Sequence, residues 1–346
     1  MLKIGMPAGS LADPNRGGNL INLLANSGFS VTGYAQGGPT KFTLVNYLYG
    51  WDGRPQEFGS QLDINEIDFA IAGDDWIRER ILEMELEYGR TVCLERVLAL
   101  NRGGVKLVGI VESDAFQTVE DFLKNLCSHK KLITVVSEMP YMALDWLRAK
   151  LEAIGMLEQY QPFSVQKYKT PAKIESGIVI YETWGKTEAK IKNGGADIGL
   201  EITQSGSAIK NYGLTVIDTV IDSQTSIWIN PEIKKDADKL ELLHIFLLNL
   251  YGSINAENKM MVMFNVSNQN VPLIDQYLRE KNLFADEPTV SAGKAFTVYN
   301  VQIDAGNINE PLAKVRYELA KRGATSINTM PVQSCIPSLN VITDTL

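Results

Sequence analysis

The sequence predicts an α/β protein, with two lobes around a cleft followed by a smaller α+β module. Three observations carry that expectation. Continuous apolar runs such as 67–72 (IDFAIA), 105–111 (VKLVGIV) and 132–137 (LITVVS) are separated by stretches of helical spacing, as expected for parallel strands covered on both faces. An internal echo relates NEIDFAIAGDD, from Asn65, to NGGADIGLEIT, from Asn193. In each, an Asp follows a turn, an apolar strand comes next, and a small polar end closes it. From Lys259 onward the pattern changes to a β-α-β-α-β order of short segments.

Taken in order, residues 2–6 (LKIGM) form a strand, and Pro7-Ala8-Gly9-Ser10 turns the chain out of it. NLINLLAN, 19–26, is apolar at helical spacing and is stopped by Gly28. FSVTGY, 29–34, follows as a second strand, and a glycine-rich loop spans 36–40. KFTLVNYLYGW, 41–51, fits strand and helix equally. The 67–72 strand ends in Gly73-Asp74-Asp75, and 77–87 then alternates charge at helical spacing. Residues 180–190 (IYETWGKTEAK) place polar groups between strands, and 213–231 gives two short β-rich pieces. Residues 234–250 read as an amphipathic helix. In the last hundred residues, KMMVMFNV, AFTVYNVQI and SINTMPVQS are strands, with helices in VPLIDQYLRE and INEPLAKVRYELAKRGA between them. That order is ferredoxin-like or ACT-like, a module that binds small effectors or joins subunits.

Composition narrows the function. The 346 residues are 45% hydrophobic and 21% charged, enough for two or three cored domains. The net charge of −8, from 33 basic and 41 acidic residues, gives no support for a nucleic-acid partner. MLKIGMPAGS lacks the pattern of an export signal, and FLLNLYG, 246–252, is far too short to span a membrane. The scattered Cys93, Cys127 and Cys335 suit a reducing cytoplasm. His129 and His244 stand without other metal ligands in any known spacing, so no protein metal site is expected.

The segment ADIGLEITQSGSAIKN, 196–211, is the candidate site. An apolar strand runs into Thr203, Gln204, Ser205, Gly206, Ser207 and Ala208. Two readings fit: a plain serine N-cap, or a nest of backbone N–H groups and hydroxyls aimed at a phosphate. Gly206 allows the backbone to turn inward. Arg54, before Pro55, is a guanidinium able to form a fork with phosphate or simply a surface ion pair. Asp74 and Asp75 either bind substrate or cap the following helix.

Together these stretches resemble the ATP phosphoribosyltransferases, in the long form with a C-terminal regulatory domain. The family's phosphate loop, approximately ADxxxDxxxTGxTLxxN, is matched by Ala196-Asp197, Glu201, Ser205-Gly206-Ser207-Ala208-Ile209 and Asn211. Gly53-Arg54-Pro55, NEIDFAIAGDD, LALNRGGVKLVGIV, SEMPY, WGKTEAKI and VIDTVIDSQTSIWINP follow in family order, and 259–334 is similar to the third domain. The resemblance implies two lobes of the periplasmic-binding-protein type II kind around a cleft, plus an ACT-like domain. The boundaries are 1–111 with 205–250 for lobe I, 112–204 for lobe II and 255–346 for the regulatory domain.

It implies transfer of 5-phosphoribosyl from phosphoribosyl pyrophosphate to N1 of ATP, the first step of histidine biosynthesis. Glu201 and Arg54 would be catalytic. Thr203 to Ala208, Gly9, Ser10, Asp74 and Asp75 would bind substrate. Mg²⁺ would arrive with the pyrophosphate. Histidine would be the effector, and the chain would form a homo-oligomer, a dimer or a hexamer. Departures stand beside this. Pro7-Ala8-Gly9-Ser10 lacks the basic residues of the family's PKGR-type turn, Gly73-Asp74-Asp75 lacks the Arg of Gly-Arg-Asp, and Glu201 replaces Asp. A phosphoribosyltransferase with another acceptor, or a non-catalytic regulatory homologue, is the alternative.

Overall fold

The computed structural model describes residues 1–9, 11, 18–112, 114–116, 118–283 and 288–343. The chain divides into two compact units, one built mainly from Met1–Ile21 and Val31–Leu243, the other from Asn22–Ser30 and His244–Asp344.

In chain order the first unit contains β1 (Leu2–Pro7), the start of α1 (Leu20–Asn26), β2 (Val31–Thr32), β3 (Lys41–Phe42), β4 (Leu48–Gly53), α2 (Pro55–Asp63), β5 (Phe69–Gly73) and α3 (Asp74–Tyr88). There follow β6 (Glu95–Val111), α4 (Val119–His129), β7 (Leu132–Ser137), α5 (Pro140–Ala153), β8 (Phe163–Lys167), β9 (Gly177–Glu182) and α6 (Thr187–Lys192). The unit closes with β10 (Ile198–Thr203), α7 (Ser207–Asn211), β11 (Thr215–Ile229) and the start of α8 (Ala237–Asn255).

Nine of these strands make one sheet in the order β4-β1-β5-β11-β6-β10-β7-β9-β8. The β4-β1-β5 strands are mutually parallel, as are β10-β7-β9-β8. Between them run the long β11 and β6, paired antiparallel from Thr215 opposite Val111 to Ile229 opposite Glu95. This gives the two lobes expected: lobe I on β4-β1-β5, lobe II on β10-β7-β9-β8. Lobe I buries Phe58, Leu62, Ile67, Ala70, Ala72 and Ile77 around its sheet. Lobe II has a larger core that includes Val135, Leu144, Leu147, Leu151, Ile178, Ile180 and Leu200.

The internal echo has a structural basis. Asp68, just before β5, accepts the backbone N–H of Lys3 at 2.7 Å, while its own N–H donates to the Lys3 carbonyl at 2.9 Å. Asp197, just before β10, accepts from the Thr134 backbone N–H at 2.9 Å and donates to the Thr134 carbonyl at 3.0 Å. Each Asp therefore fastens the start of a strand onto its parallel neighbour, once in each lobe.

Three expectations are corrected. The 180–190 stretch is not all connector: β9 covers its start, because GIVIYE is apolar and β-branched and lies between β7 and β8. The two β-rich pieces of 213–231 are one strand, β11, whose apolar alternation is broken by register shifts such as those at Val216/Asp218 and Thr219/Ile221. Of 29–34, only Val31–Thr32 is strand, because Gly33 at φ 83° turns the chain into a short 3₁₀ turn.

In the second unit lie β12 (Lys259–Ser267), α9 (Val271–Glu280), β13 (Thr289–Ala292), β14 (Phe296–Asp304), α10 (Leu312–Lys321) and β15 (Ala324–Pro331). The sheet is antiparallel throughout, in the order β13-β14-β12-β15. This is the ferredoxin-like β-α-β-β-α-β arrangement; the added strand β13 is short and exposed at the sheet edge, which hides it from hydrophobic patterning. Val262, Phe264, Tyr299 and Val301 pack with Ile274, Leu278, Val315 and Leu319 as the core. Phe29 packs on Phe246 with centroids 4.8 Å apart, so residues 22–30 join this unit although they are distant in sequence.

Candidate active site

In open sheets, ligands gather beyond the carboxyl ends of parallel strands. In lobe I those ends deliver Ala8 and Gly9 after β1, Arg54 after β4, and Gly73 with Asp75 after β5. In lobe II they deliver Ser137-Glu138 after β7, Thr183 to Lys186 after β9, and Gln204 to Ser207 after β10. A cavity of about 470 Å³ is lined by groups of both lobes, among them Gly9, Arg54, Asp75, Trp76, Trp184 and Gln204.

Arg54 has extended backbone (φ −95°, ψ 132°), which the following Pro55 favours, and it opens α2. Its side chain is exposed and, among the described residues, makes no ion pair. Asp75 is 4% exposed and lies in the first turn of α3. Its Oδ1 accepts the Trp76 N–H at 3.0 Å, and its own N–H donates to Ser223 Oγ at 3.0 Å. Burial raises its pKa, with the N–H of Trp76 and the Ser223 hydroxyl opposing. Asp74 does not line this cavity. Its carboxylate accepts from Arg96 Nη1 at 3.0 Å and from Trp228 Nε1 at 3.1 Å, beside a separate cavity. Ser10 lies outside the described residues.

On lobe II, Thr203 Oγ1 accepts the Gly206 N–H at 2.9 Å, and Ser205 and Ser207 share a hydroxyl hydrogen bond of 2.7 Å. Gly206 is left-handed at φ 70° and heads the five-residue α7, in which Ser207 and Ala208 are the first two residues. The loop is therefore tied to itself, the Ser207 N–H also reaching Ser205 Oγ at 3.4 Å, while Ser205 and Ser207 stay exposed. Lys186, also left-handed at φ 61°, is the N-cap of α6.

Glu201 lies on β10 with one oxygen, Oε2, buried and without a hydrogen-bond partner; the hydroxyl of Thr187 nearby is equally unpaired. Burial pushes the Glu201 pKa up to about 7, and Glu188 and Glu138 add to the rise; the Thr187 hydroxyl opposes it by proximity, lying near the carboxyl but outside hydrogen-bond geometry. Glu138 is raised as well, by burial first, against a backbone N–H from Gly185 and the charge of Lys190. Three carboxyl groups thus crowd one end of lobe II. Their repulsion is relieved when a ligand brings hydroxyl donors or a cation.

Glu201 and the 203–208 loop belong to this end, and Gln204 joins it to the cavity shared with Gly9, Arg54 and Asp75. Two groups were not assigned a part by sequence reasoning. Glu138 sits in SEMPY directly after an apolar strand, and that placement is the signal that would have found it. Trp184 is 67% exposed and lines the cavity. Among the described residues no cluster of His, Cys, Asp or Glu has the geometry to hold a metal by itself.

The family model described as ATP phosphoribosyltransferase (HisG) matches residues 54–249. The ATP phosphoribosyltransferase of Nitratidesulfovibrio vulgaris is 25% identical over 321 residues, covering 89% of each chain. ATP phosphoribosyltransferase 1 of Geobacter sulfurreducens is 25% identical, covering 97% of this chain and 99% of its own. In structure, the chain is similar to one in the ATP phosphoribosyl transferase (HisG:HisZ) complex of Thermotoga maritima, with a TM-score of 0.50 and 14% identity, over 72% of this chain and 98% of that one. With more than half of its length matched by the family model, this chain belongs to the ATP phosphoribosyltransferase family.

Proposed function

We infer that this protein transfers the 5-phosphoribosyl group of phosphoribosyl pyrophosphate to N1 of ATP and releases pyrophosphate, opening histidine biosynthesis. The observation that carries the reading is the two-sided cleft: a hydroxyl-bearing glycine turn and Glu201 on one lobe, Arg54 on the other. The adenine N1 lone pair forms the new bond to C1′ of the ribose as the C1′–oxygen bond to pyrophosphate breaks. No general base is required for that step, so positioning and charge stabilisation dominate.

Each group has a part in this reading. Ser205, Gly206 and Ser207 hold the 5′-phosphate through hydroxyl and backbone N–H groups, with Thr203 bracing the turn. Ionised Glu201 accepts from the ribose hydroxyls and favours the positive charge that grows on the sugar. Arg54 draws the departing or incoming phosphates. Gly9, Asp75, Gln204 and Trp184 shape the acceptor side, where an indole face suits a purine. Mg²⁺ enters with the pyrophosphate. The carboxylates of Glu138, Glu188 and Glu201 are hard oxygen donors that fit such an ion, which needs only one or two of them when substrate phosphates supply the rest. The C-terminal unit is the place for an effector, histidine first, and for joining subunits of a dimer or hexamer. No described helix is long and apolar enough to cross a membrane, in keeping with work in the cytoplasm.

The test is direct detection of pyrophosphate and phosphoribosyl-ATP after mixing the protein with both substrates and Mg²⁺. Absence of both products, with a folded protein, overturns the reading. One observation favours an altered acceptor: lobe I offers Arg54 but no basic residue at Ala8 or Asp74. Turnover with ATP, ADP and AMP in parallel decides this, since equal rates would mean the triphosphate is not gripped.

A further inference from the structure

Glu79 is a buried carboxylate that the transfer chemistry leaves unused. It lies on α3, one turn after Asp75, and is 7% exposed. Its two oxygens accept the backbone N–H groups of Tyr141 at 2.9 Å and Met142 at 2.7 Å. Those are among the first residues of α5, whose own N-cap, Met139, offers no side-chain hydrogen bond. A helix start leaves N–H groups unpaired and carries positive charge, so a carboxylate there satisfies both. Here the carboxylate comes from the other lobe.

The helix that carries it reaches into both cores. Ile77 is buried with Phe58 and Ala72 in lobe I, whereas Leu82 is buried with Leu144 and Leu147 in lobe II. Arg78 and Asp145 add an exposed α3–α5 ion pair at 3.5 Å. Both ends of this connection lead to the cleft. The start of α3 holds Asp75 in the cavity wall, and the start of α5 follows directly on Glu138.

We propose that Glu79 is a positioning residue for the transfer, an interlobe clamp that sets the distance between the Glu138–Glu201 side of the site and the Arg54–Asp75 side. Burying the carboxyl is costly: burial lifts its pKa to about 8 even though the two N–H groups pull it down. An apolar residue would avoid that cost but would leave the start of α5 unheld. The inference rests on the transferase reading for its kinetic arm only.

The experiment compares wild type, Glu79→Gln and Glu79→Asp in the full chain. Gln keeps the shape but turns an N–H donor toward a backbone N–H; Asp keeps the carboxyl group but withdraws it by one methylene. Spin labels on cysteines introduced at Glu57 and Glu158, exposed sites in lobes I and II, report the interlobe distance in a chain whose own cysteines are replaced by serine. Each variant is expected to broaden or shift that distance. Its kcat should fall by about tenfold to a hundredfold. The KM for phosphoribosyl pyrophosphate should move by no more than about threefold, since in the proposed reading its 5′-phosphate and ribose contacts both sit on lobe II. If Glu79→Gln does not fold, Glu79→Asp decides by the same readouts. A wild-type distance distribution and kcat in a folded variant overturn the clamp. A wild type without transferase activity overturns the proposed function instead, and the distance measurement alone then judges the clamp.

Discussion

The two ends of the cleft are built alike and equipped differently. Both arise where parallel strands stop, and both begin from strands fastened by the same Asp device, Asp68 in one lobe and Asp197 in the other. On lobe II a buried Glu201 oxygen has no hydrogen-bond partner and stands in a crowd of carboxyl groups, beside the exposed but internally bonded Ser205-Gly206-Ser207 turn. On lobe I the two aspartates are spent within the protein, while Gln56 Oε1, in the cavity lining, is buried without a hydrogen-bond partner. Asp75 bonds its own helix start and Asp74 is held by Arg96 and Trp228, leaving Arg54 as the accessible cation among the candidate residues. The difference teaches that a lobe's ligand is best read from its unsatisfied groups. Under the proposed function the phosphoribosyl donor goes to the lobe II side, and lobe I is where the acceptor has room to differ.

The largest effect expected from breaking this contrast is at Glu201. Glu201→Gln should lower kcat by about a hundredfold or more, as for loss of a group that stabilises transition-state charge. Its pH behaviour sharpens the point. The folded-state pKa is raised from 4.5 to about 7, so the folded protein holds this proton more tightly than the unfolded chain. The stability tied to the neutral form is therefore full below the unfolded value and lost as pH rises through about 7. Wild-type activity should climb through the same range as the carboxylate ionises, and the climb should vanish in Glu201→Gln. Thermal melts from pH 5 to 8 should show the variant gaining on wild type toward the alkaline end. An unchanged pH profile would remove Glu201 from the site.

Next in size is Arg54→Ala, which tests the cation of lobe I. A lost charged hydrogen bond to phosphate is worth about 1.5–3 kcal/mol, so KM for one substrate should rise by about tenfold to a hundredfold. Initial rates against each substrate in turn would show whether donor or acceptor is affected. A smaller loss is expected for Gly206→Val. No atom lies within 4 Å of where a Cβ would project, but φ is 70°, so the obstacle is backbone strain of about 1–2 kcal/mol. Affinity for phosphoribosyl pyrophosphate by calorimetry should fall about tenfold, and unchanged affinity in a folded protein would count against the phosphate turn. Smallest of all in catalysis is Asp74→Asn. Its bonds to Arg96 and Trp228 are structural, so stability should drop by about 1 kcal/mol while kcat stays within about twofold. A larger fall in kcat would return Asp74 to the site and spoil the contrast between the lobes.

The sequence by itself determined the α/β class, the third module and the strand-end placement of the glycine turn. Those follow from local patterns: apolar runs of strand length, helical spacing, and small residues where the chain must turn. The Asp echo was visible too, because it is a local device used twice. Other features were decided only in three dimensions. Residues 213–231 read as two pieces because bulges break alternation, and only pairing with β6 makes them one strand. Asp74 and Asp75 are neighbours with equal chemistry. Their different long-range partners, Arg96 and Trp228 for one and Ser223 for the other, come from distant strands. Glu79 was unremarkable in a charged helix until α5 was packed against it. Local propensity sets which elements form, but which polar groups are satisfied and which are left for a ligand depends on contacts tens of residues away, and those exist only once the sheet has assembled.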